Sequence, residues 1–381
     1  MKKIALVFGT RPEAIKMAPV AHILKNSKIF KTQIILTAQH RELLDQVMTL
    51  FNLDSDYDLN IMQEGQSLTE ITIRVLKGLD KIWEKDRPDI VLVHGDTTTT
   101  FSASLSAFYK KIPIAHVEAG LRTYNKYQPY PEEINRHLTG VLADLHFAPT
   151  KTAKENLIRE NIPKDKIIVT GNTVIDSLLY VYNNLGDYKP DFIPSLNGRM
   201  ILLTSHRREN WGEPMKNIAL ALKEILHKFK DIYLIFPMHP NPLIKEQFIP
   251  LLGSEERVFI IPPVDYKTMV YLISKSYLIL TDSGGIQEEA PSLGKPVLVL
   301  REVTERPEAV KAGTVKLVGT DKEKIIKEVS NLINNEELYK KMASAINPYG
   351  DGKASLRIFE SLKYYFGLSN SFPEEYEGEK Y

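Results

Sequence analysis

Three acidic residues, Asp96, Glu118 and Glu132, lie in successive loops of the first half of the chain. Glu118 ends a β-branched run beside a glycine, where neither packing nor strand propensity favours a glutamate. Asp96 is either a helix cap or a carboxylate available for chemistry. Glu132 precedes Arg136 by four residues and is either half of a surface ion pair or a third reactive carboxylate. Acidic groups in successive loops of one domain favour general acid–base catalysis.

The loop Gly9–Glu13 has the composition of an anion-binding turn. Thr10 and Glu13 have the spacing of a capping box, which predicts that a helix begins here. Free N–H groups at the start of a helix bind phosphates, and Arg11 and Lys16 add positive charge nearby. The same residues also fit an ordinary capped turn between a strand and a helix. The spacing matches neither a Walker loop nor a dinucleotide fingerprint, which disfavours ATP and NAD as ligands.

The second half of the chain contains a further set of residues suited to a diphosphate. His206 follows a predicted strand and precedes two arginines, a combination that binds phosphates. Ser283, Gly284 and Gly285 begin a predicted helix, and such a turn presents backbone N–H groups to an anion. Glu289 lies one turn further on, where its carboxylate could accept two hydroxyl donors from a ribose. Alternatively, Glu289 is a first-turn acid stabilised by the helix dipole.

Composition and charge exclude several classes of function. The 381-residue chain has no cysteine, which excludes disulfides, zinc–thiolate sites, iron–sulfur clusters and cysteine nucleophiles. Its nine histidines show no metal-binding spacing, so nothing in the sequence requires a metal. The net charge of +1 disfavours a nucleic-acid or membrane-surface partner. The first apolar run is shorter than a signal-peptide core, and none reaches the roughly 20 residues of a membrane span, which predicts a cytoplasmic protein.

Short β-branched runs alternate with longer amphipathic segments along the whole chain, which predicts an α/β protein with mostly parallel sheets covered by helices on both faces. In the first half the pattern predicts elements at Ile4–Phe8, Pro12–Asn26, Ile34–Thr37, Ile90–Val93, Thr98–Tyr109, Ile112–Val117 and His146–Ala148. After a loose segment at 183–198 it predicts elements at Met200–Thr204, Pro214–Phe229, Ile232–Phe236, Val258–Ile261, Asp265–Lys275, Leu278–Thr281, Gly285–Ser292, Pro296–Leu300, Lys322–Asn334 and Lys353–Phe366. The polar tail Ser369–Tyr381 is expected to be frayed.

This pattern predicts two doubly wound, Rossmann-like domains of similar size. Ligands of such sheets bind at the carboxyl ends of the strands, so the loops that follow strands are where chemistry is expected. Two carboxyl edges that face each other would make a cleft, and we expect the residues named above to line it.

Seven motifs follow one another in a fixed order along the chain: GTRPE (Gly9–Glu13), HGDT (His94–Thr97), HVEAGLR (His116–Arg122), PEEINR (Pro131–Arg136), HRRE (His206–Glu209), DSGGIQEE (Asp282–Glu289) and TERPE (Thr304–Glu308). Together they resemble the non-hydrolysing UDP-N-acetylglucosamine 2-epimerases, from Lys3 to about Leu362. The resemblance implies the glycosyltransferase B fold, in which the last helix returns to the first domain. It implies an acid–base domain of residues 1–171 plus 353–381 and a UDP-binding domain of residues 172–352.

The activity implied by the resemblance is reversible inversion of carbon 2, which converts UDP-N-acetylglucosamine into UDP-N-acetylmannosamine for polysaccharide biosynthesis. The family uses no cofactor: UDP leaves by anti elimination through 2-acetamidoglucal and then adds back. The alternative is a hydrolysing epimerase of the same fold, which releases free N-acetylmannosamine and UDP. A glycosyltransferase and a non-catalytic nucleotide-sugar sensor are further alternatives. Members of the family are usually homodimers, which we also expect here.

The resemblance also implies roles for individual residues. Asp96, Glu118 and Glu132 correspond to the acid–base set, and His206 to the group that steadies the departing diphosphate. The expected substrate-binding residues are Arg11, Lys16, Arg136, Met269, Ser283, Gly284, Gly285, Glu289 and Arg306. Met269 stands in the expected uracil pocket, where a thioether can cover a base. Substrate activation at a second site would involve Gln39, His40 and Arg74.

Overall fold

The computed structural model describes residues 1–38, 41–194 and 197–378. Two compact units share these residues: Met1–Tyr180 with Tyr349–Gly378, and Val181–Pro348. Within the described residues, no helix is both long and apolar enough to span a membrane. The predicted division of the chain into domains, with boundaries at 171 and 353, stays a prediction.

The first unit alternates strands and helices along its length. Its elements are β1 (Lys3–Phe8), α1 (Arg11–Ser27), β2 (Lys31–Leu36), α2 (Arg41–Leu50), β3 (Tyr57–Asp58), α3 (Leu68–Lys85), β4 (Ile90–His94), α4 (Thr98–Tyr109), β5 (Ile114–Val117), α5 (Glu132–Leu142), β6 (Leu145–Ala148), α6 (Lys151–Arg159), β7 (Ile167–Val169) and the start of α7 (Thr173–Asn183). Its strands form one sheet in the order β3-β2-β1-β4-β5-β6-β7, with parallel pairing throughout.

The second unit repeats this arrangement. Its elements are β8 (Arg199–Thr204), α8 (Glu213–Lys228), β9 (Ile232–Pro237), α9 (Pro242–Leu252), β10 (Val258–Ile261), α10 (Tyr266–Lys275), β11 (Leu278–Thr281), α11 (Gly284–Glu289), β12 (Val297–Val299), α12 (Pro307–Ala312), β13 (Val315–Leu317), α13 (Lys322–Asn334) and α14 (Glu336–Ala343), while α15 (Ala354–Tyr365) belongs to the first unit. The sheet order is β10-β9-β8-β11-β12-β13, and every pair is parallel.

The strand order fixes where a ligand can bind in each unit. In the first sheet the order reverses between β1 and β4, and in the second between β8 and β11. Ligands of open parallel sheets bind beside the carboxyl ends of the strands at such a reversal. The loops after β1, β4 and β5, and those after β8 and β11, are the candidate positions. The predicted fold class, two doubly wound parallel sheets, is confirmed.

Apolar residues form the strands because parallel strands are covered on both faces. In β1 the run from Ile4 to Phe8 is completely buried, and in β4 the run from Ile90 to Val93 is as well. Helices α3 and α4 pack residues such as Leu79 and Ala103 against one face of the first sheet. This packing holds the strand ends, and with them the loops, in fixed positions.

Most predicted elements are confirmed within two residues at each end, and the differences have local causes. The predicted strand Ile112–Val117 begins at Ile114 because Pro113 lacks the N–H that a strand ladder needs. The predicted helix Gly285–Ser292 is α11 followed by a 3₁₀ turn, Ala290–Leu293, which contains Pro291. Three strands of two or three residues, β3, β7 and β13, were missed because such short edge strands show no periodicity.

The prediction of a frayed tail is wrong for its central part. Tyr376 is buried, and its backbone N–H donates to the carbonyl oxygen of Val169 at 2.7 Å. The Glu375 carboxylate accepts from the Lys154 ammonium at 2.7 Å and from the Val169 N–H at 3.2 Å. The tail therefore covers the edge strand β7 of the first sheet. Helix α15 packs on α1 of the same unit.

Candidate active site and nucleotide-binding loops

A pocket of about 420 Å³ lies at the carboxyl ends of β1, β4 and β5. Asp96, Glu118 and Glu132 all line it, together with Lys16 and His94. The structure thus brings together the three carboxylates that the sequence singles out. Its remaining lining residues are Thr10, Pro12, Glu13, Leu68, Thr97, Thr98, Pro131 and Asn135.

Glu118 follows β5 directly and has a left-handed backbone conformation, with φ of 63°. This conformation costs a residue with a side chain about 1–2 kcal/mol, which the surrounding contacts must offset. The carboxylate is one-tenth exposed and forms an ion pair with Lys16. It also accepts from the Asn172 amide at 2.8 Å, and the His94 ring nitrogen Nε2 lies 3.8 Å away. A glutamate at this strand end is therefore held in the pocket by side chains from three separate segments.

Asp96 is bound by Arg136. The guanidinium donates to Asp96 Oδ2 from Nε at 2.9 Å and lies 2.7 Å away through Nη2. Helix α4 is capped by Thr97, whose hydroxyl accepts from the Thr100 N–H. The interpretation of Asp96 as the helix cap is wrong, because the next residue has that role.

Glu132 is the first residue of α5. Its Oε2 is buried and has no hydrogen-bond partner in the described part of the chain. Arg136 pairs with Asp96 and Glu133, so the interpretation of Glu132 and Arg136 as a surface ion pair is wrong. A buried carboxylate oxygen without a donor is costly unless a ligand supplies one. Glu132 therefore has the environment expected of a group that meets a substrate.

Two histidines beside the carboxylates are neutral at physiological pH. Burial lowers the pKa of His94 to about 4 and that of His116 to about 3. His116 Nε2 donates to the Gly95 carbonyl oxygen at 2.7 Å, which fixes the loop that carries Asp96. Neither imidazole ring can therefore supply positive charge at neutral pH. Lys16, which lines the pocket, supplies the cation next to Glu118, and Arg136, which does not line it, supplies the one next to Asp96.

Glu13 is a fourth carboxylate of the pocket. The sequence indicated it only as part of a capping box, which the structure confirms. Its carboxylate accepts from Gly9 and Thr10 N–H groups at 3.1 and 2.8 Å and from hydroxyls of Thr10, Thr97 and Thr100. Burial raises its pKa, although these hydrogen bonds oppose the shift. Glu13 connects the loop after β1 to the loop after β4, and the run of four threonines after Asp96 could have indicated this connection.

In the second unit, buried Asp282 organises the loop after β8. Its Oδ2 accepts from the backbone N–H groups of His206 and Arg207 at 2.8 and 2.9 Å. The His206 Nδ1 lies 3.3 Å from Asp282 Oδ1, and its side chain is 44% exposed. Burial lowers the pKa of His206, and Arg207 and His239 add to this effect against the attraction of Asp282. His206, the residue predicted to steady the departing diphosphate, therefore lies on a loop that Asp282 fixes.

Gly284 lies beneath two guanidinium groups. An ideal Cβ built on Gly284 would be 3.6 Å from Arg306 Nη2 and 4.0 Å from Arg207 Nη2. Arg306 pairs with buried Glu288, and Arg207 Nε is buried without a hydrogen-bond partner among the residues described. The sequence indicated Arg207 only as part of a basic motif, and its position beside Gly284 was missed. Two cations beside a residue without a side chain suit an anion.

Glu289 is the last residue of α11, which makes the interpretation of a first-turn acid wrong. Its Oε1 accepts from the Tyr266 hydroxyl at 2.6 Å. Tyr266 begins α10, and half-buried Met269 follows on the same helix. Ser283 precedes α11 without capping it through its side chain. The predicted roles of these residues stay predictions.

The remaining predicted residues lie outside this pocket or outside the described chain. Arg11 begins α1 but does not line the pocket. Arg74, on α3, donates to the carbonyl oxygen of Ile61 and to the side chain of Gln66, both at 3.1 Å. Gln39 and His40 are outside the described residues. Their predicted part in a second substrate site stays a prediction.

Comparisons with known proteins agree with the sequence and the geometry. The model of the UDP-N-acetylglucosamine 2-epimerase family matches residues 22–363. The UDP-N-acetylglucosamine 2-epimerase of Escherichia coli K12 is 54% identical over 95% of this chain and 98% of its own. The crystal structure of the Neisseria meningitidis UDP-GlcNAc 2-epimerase, bound to UDP-GlcNAc, is 54% identical with a TM-score of 0.85 over 95% of this chain and 100% of the other.

The fold likeness extends beyond epimerases. A glycosyltransferase from Rickettsia africae is 17% identical to this chain, with a TM-score of 0.64 over 97% of this chain and 99% of its own. At that identity the likeness concerns the fold alone, and it agrees with the predicted glycosyltransferase B fold. With the family model matching most of its length, the chain belongs to the UDP-N-acetylglucosamine 2-epimerase family.

Proposed function

We propose that this epimerase interconverts UDP-N-acetylglucosamine and UDP-N-acetylmannosamine without releasing a free sugar. The observation that carries the proposal is the grouping of Asp96, Glu118 and Glu132 in one pocket, each in a different environment. Inversion at a carbon atom requires proton transfer on both of its faces, and therefore more than one acid–base group.

The proposed reaction has two half-steps that mirror each other. A carboxylate removes the proton from carbon 2, the carbon 1–oxygen bond to UDP breaks, and a double bond forms between carbons 1 and 2. The resulting 2-acetamidoglucal then accepts a proton on the other face of carbon 2, while a β-phosphate oxygen of UDP re-forms the bond to carbon 1. The net change is inversion of carbon 2, with no oxidant and no water consumed.

The second unit would hold UDP during these steps. Arg207 and Arg306 flank Gly284, and His206 stands on the loop fixed by Asp282. Negative charge builds up on the diphosphate as it leaves, and positioned donors stabilise such charge most when it develops. Glu289 would accept from the ribose hydroxyls, and Met269 would lie against the uracil.

Product analysis tests the proposal directly. The protein is incubated with UDP-N-acetylglucosamine, and sugars and nucleotides are followed by ¹H NMR. We expect UDP-N-acetylmannosamine to appear and to reach a constant ratio with the substrate, and the same mixture to form from UDP-N-acetylmannosamine. Free N-acetylmannosamine that accumulates in step with UDP would instead establish the hydrolysing alternative.

A further inference from the structure

Asn172 lies immediately before α7 and is buried, with 3% of its surface exposed. Its side-chain oxygen accepts from the Val174 N–H at 3.0 Å, which is the geometry of a residue that caps a helix. Because that oxygen is engaged as an acceptor, the nitrogen of the amide is the group turned to Glu118, to which it donates at 2.8 Å. One side chain thus joins the start of a helix to a carboxylate of the pocket.

The backbone around Asn172 is fixed in turn. Its N–H donates to the Tyr349 carbonyl oxygen at 2.6 Å. Gly171, with φ of 83°, approaches Gly350 so closely that an ideal Cβ would lie 3.3 Å from the Gly350 Cα. Two residues before Gly171, the Val169 carbonyl oxygen accepts from the backbone N–H of Tyr376 in the C-terminal tail. The backbone that carries the amide is therefore held by contacts with two other segments of the first unit.

Glu118 depends on such a support because of its own conformation. A left-handed residue at a strand end has no neighbour in the ladder to fix its side chain, so contacts made by the carboxylate decide where it points. Lys16 neutralises the carboxylate but is a flexible side chain with a rotatable ammonium group. The short amide of Asn172 restricts both the position and the rotation of the carboxylate.

We infer that Asn172 is a positioning residue for epimerisation, which holds the Glu118 carboxylate in its working orientation through the side-chain amide. This inference rests on the proposed function, since it assigns Glu118 to proton transfer. It goes beyond a structural role of Asn172, because capping of α7 uses only the oxygen of the amide. The two roles of the side chain can therefore be separated by substitution.

The test uses two variants that keep the cap and remove the donor. Serine and aspartate cap helices about as well as asparagine does, but neither supplies an N–H group to Glu118. For Asn172→Ser we expect thermal unfolding close to that of the wild type, whereas Asn172→Asp should unfold at a lower temperature because it buries a second carboxylate beside Glu118. In both variants we expect a loss of kcat of about tenfold or more, with KM changed far less. Asn335 caps α14 at the exposed surface of the second unit, and Asn335→Asp is the matched control.

The pH profile distinguishes positioning from a general structural defect. A carboxylate in place of the amide disfavours ionisation of Glu118, so the acidic limb of the kcat profile should move to higher pH in Asn172→Asp and less in Asn172→Ser. The ionisable groups around Glu118 that contribute to this limb are Lys16, His94 and His116.

The outcomes separate this inference from the proposed function. Wild-type epimerisation together with an unchanged kcat and pH profile in Asn172→Ser would show that Asn172 only caps α7. A KM increase with unchanged kcat would likewise overturn the inference. Failure of the wild type to epimerise at all would overturn the proposed function, and this inference with it. Should Asn172→Asp unfold, Asn172→Ser decides the matter, since it adds no charge.

Discussion

The two units share a sheet topology but place different charged side chains on the loops that follow their strands. At the ends of β1, β4 and β5 the first unit gathers carboxylates, and the cations near them are engaged with those carboxylates. At the ends of β8 and β11 the second unit gathers Arg207 and Arg306 around Gly284. The same edge of a doubly wound sheet thus carries a group of carboxylates in one unit and a pair of arginines beside a glycine in the other.

Under the proposed function, this difference predicts how the chemistry is divided. Carboxylates that move protons need precise orientation, and the first unit supplies it with ion pairs, an amide and neutral histidines. The proposed diphosphate site needs cations, and Arg207 and Arg306 would supply them beside Gly284. Substitutions in the two regions should therefore affect different steps, and the following predictions use that separation.

The largest effect is expected from Glu118→Gln. Loss of a positioned acid or base lowers kcat by about a hundred- to ten-thousandfold, whereas UDP should bind as in the wild type. Steady-state kinetics and calorimetric titration with UDP measure the two quantities. Glu155→Gln, which changes an exposed carboxylate of the same unit, is the control and should leave both unchanged. Equal losses of rate and UDP affinity in Glu118→Gln would contradict the division.

Arg207→Ala should have the opposite signature. A charged hydrogen bond contributes about 1.5–3 kcal/mol, so UDP affinity should fall roughly 10- to 100-fold. The exposed Arg159 provides the control through Arg159→Ala, for which no change is expected. UDP affinity like that of the wild type in Arg207→Ala would place the diphosphate elsewhere.

Gly284→Ala sharpens the same point without removing a charge. The added methyl group would meet the Arg306 and Arg207 guanidinium groups at ordinary contact distances of 3.6–4.0 Å, so the fold should tolerate it. The methyl group would occupy part of the proposed anion site. UDP affinity should therefore fall by about tenfold, at the lower end of the loss expected for Arg207→Ala. Thermal unfolding should be unchanged or slightly raised, because alanine favours a helix over glycine. Unchanged UDP binding would show that the ligand does not approach Gly284.

The smallest effect is expected for Glu133, a carboxylate to which we assign a structural rather than a catalytic role. Glu133 is buried, which opposes ionisation, but N–H groups of Thr123 and Tyr124 and the Arg136 guanidinium lower its pKa below the ordinary value. A lowered pKa in the folded state stabilises the protein above the unfolded-state pKa, and the contribution is lost as the pH falls through the folded-state pKa. Glu133→Gln should therefore cost about 1–3 kcal/mol at pH 7 and progressively less below about pH 4.

Unfolding of Glu133→Gln and the wild type at a series of pH values checks this prediction. A difference between the two proteins that grows towards acidic pH would contradict the assigned direction. A loss of activity with no loss of stability would show that Glu133 has a catalytic rather than a structural role.

The sequence predicted the repeated strand–helix pattern well, because long buried strands and amphipathic helices leave a strong periodic signal. It also identified Asp96, Glu118 and Glu132 as acidic residues of successive loops, and Glu118 most clearly, since an acid at a strand end conflicts with packing preferences. It did not predict the partners of those residues. Asn172 lies 54 positions from Glu118, and only the fold reveals that the two meet.

The same reasoning explains the other differences. The tail was expected to be frayed because its composition is polar, yet Glu375 and Tyr376 bind the edge strand through long-range contacts that composition does not reveal. Arg207 was one of two adjacent arginines in the sequence, and only the coordinates distinguish the one beside Gly284. Contacts between segments that are distant in the sequence therefore could not be predicted from local sequence patterns.

The central claim is that a carboxylate of the first unit removes the proton from carbon 2. Wild-type turnover of UDP-N-acetylglucosamine in deuterium oxide, followed by ¹H NMR and mass spectrometry, tests it most directly. We expect UDP-N-acetylmannosamine to carry one deuterium at carbon 2. Substrate that re-forms in the reverse reaction should carry deuterium at the same carbon. UDP-N-acetylmannosamine that forms with protium at carbon 2 would contradict it.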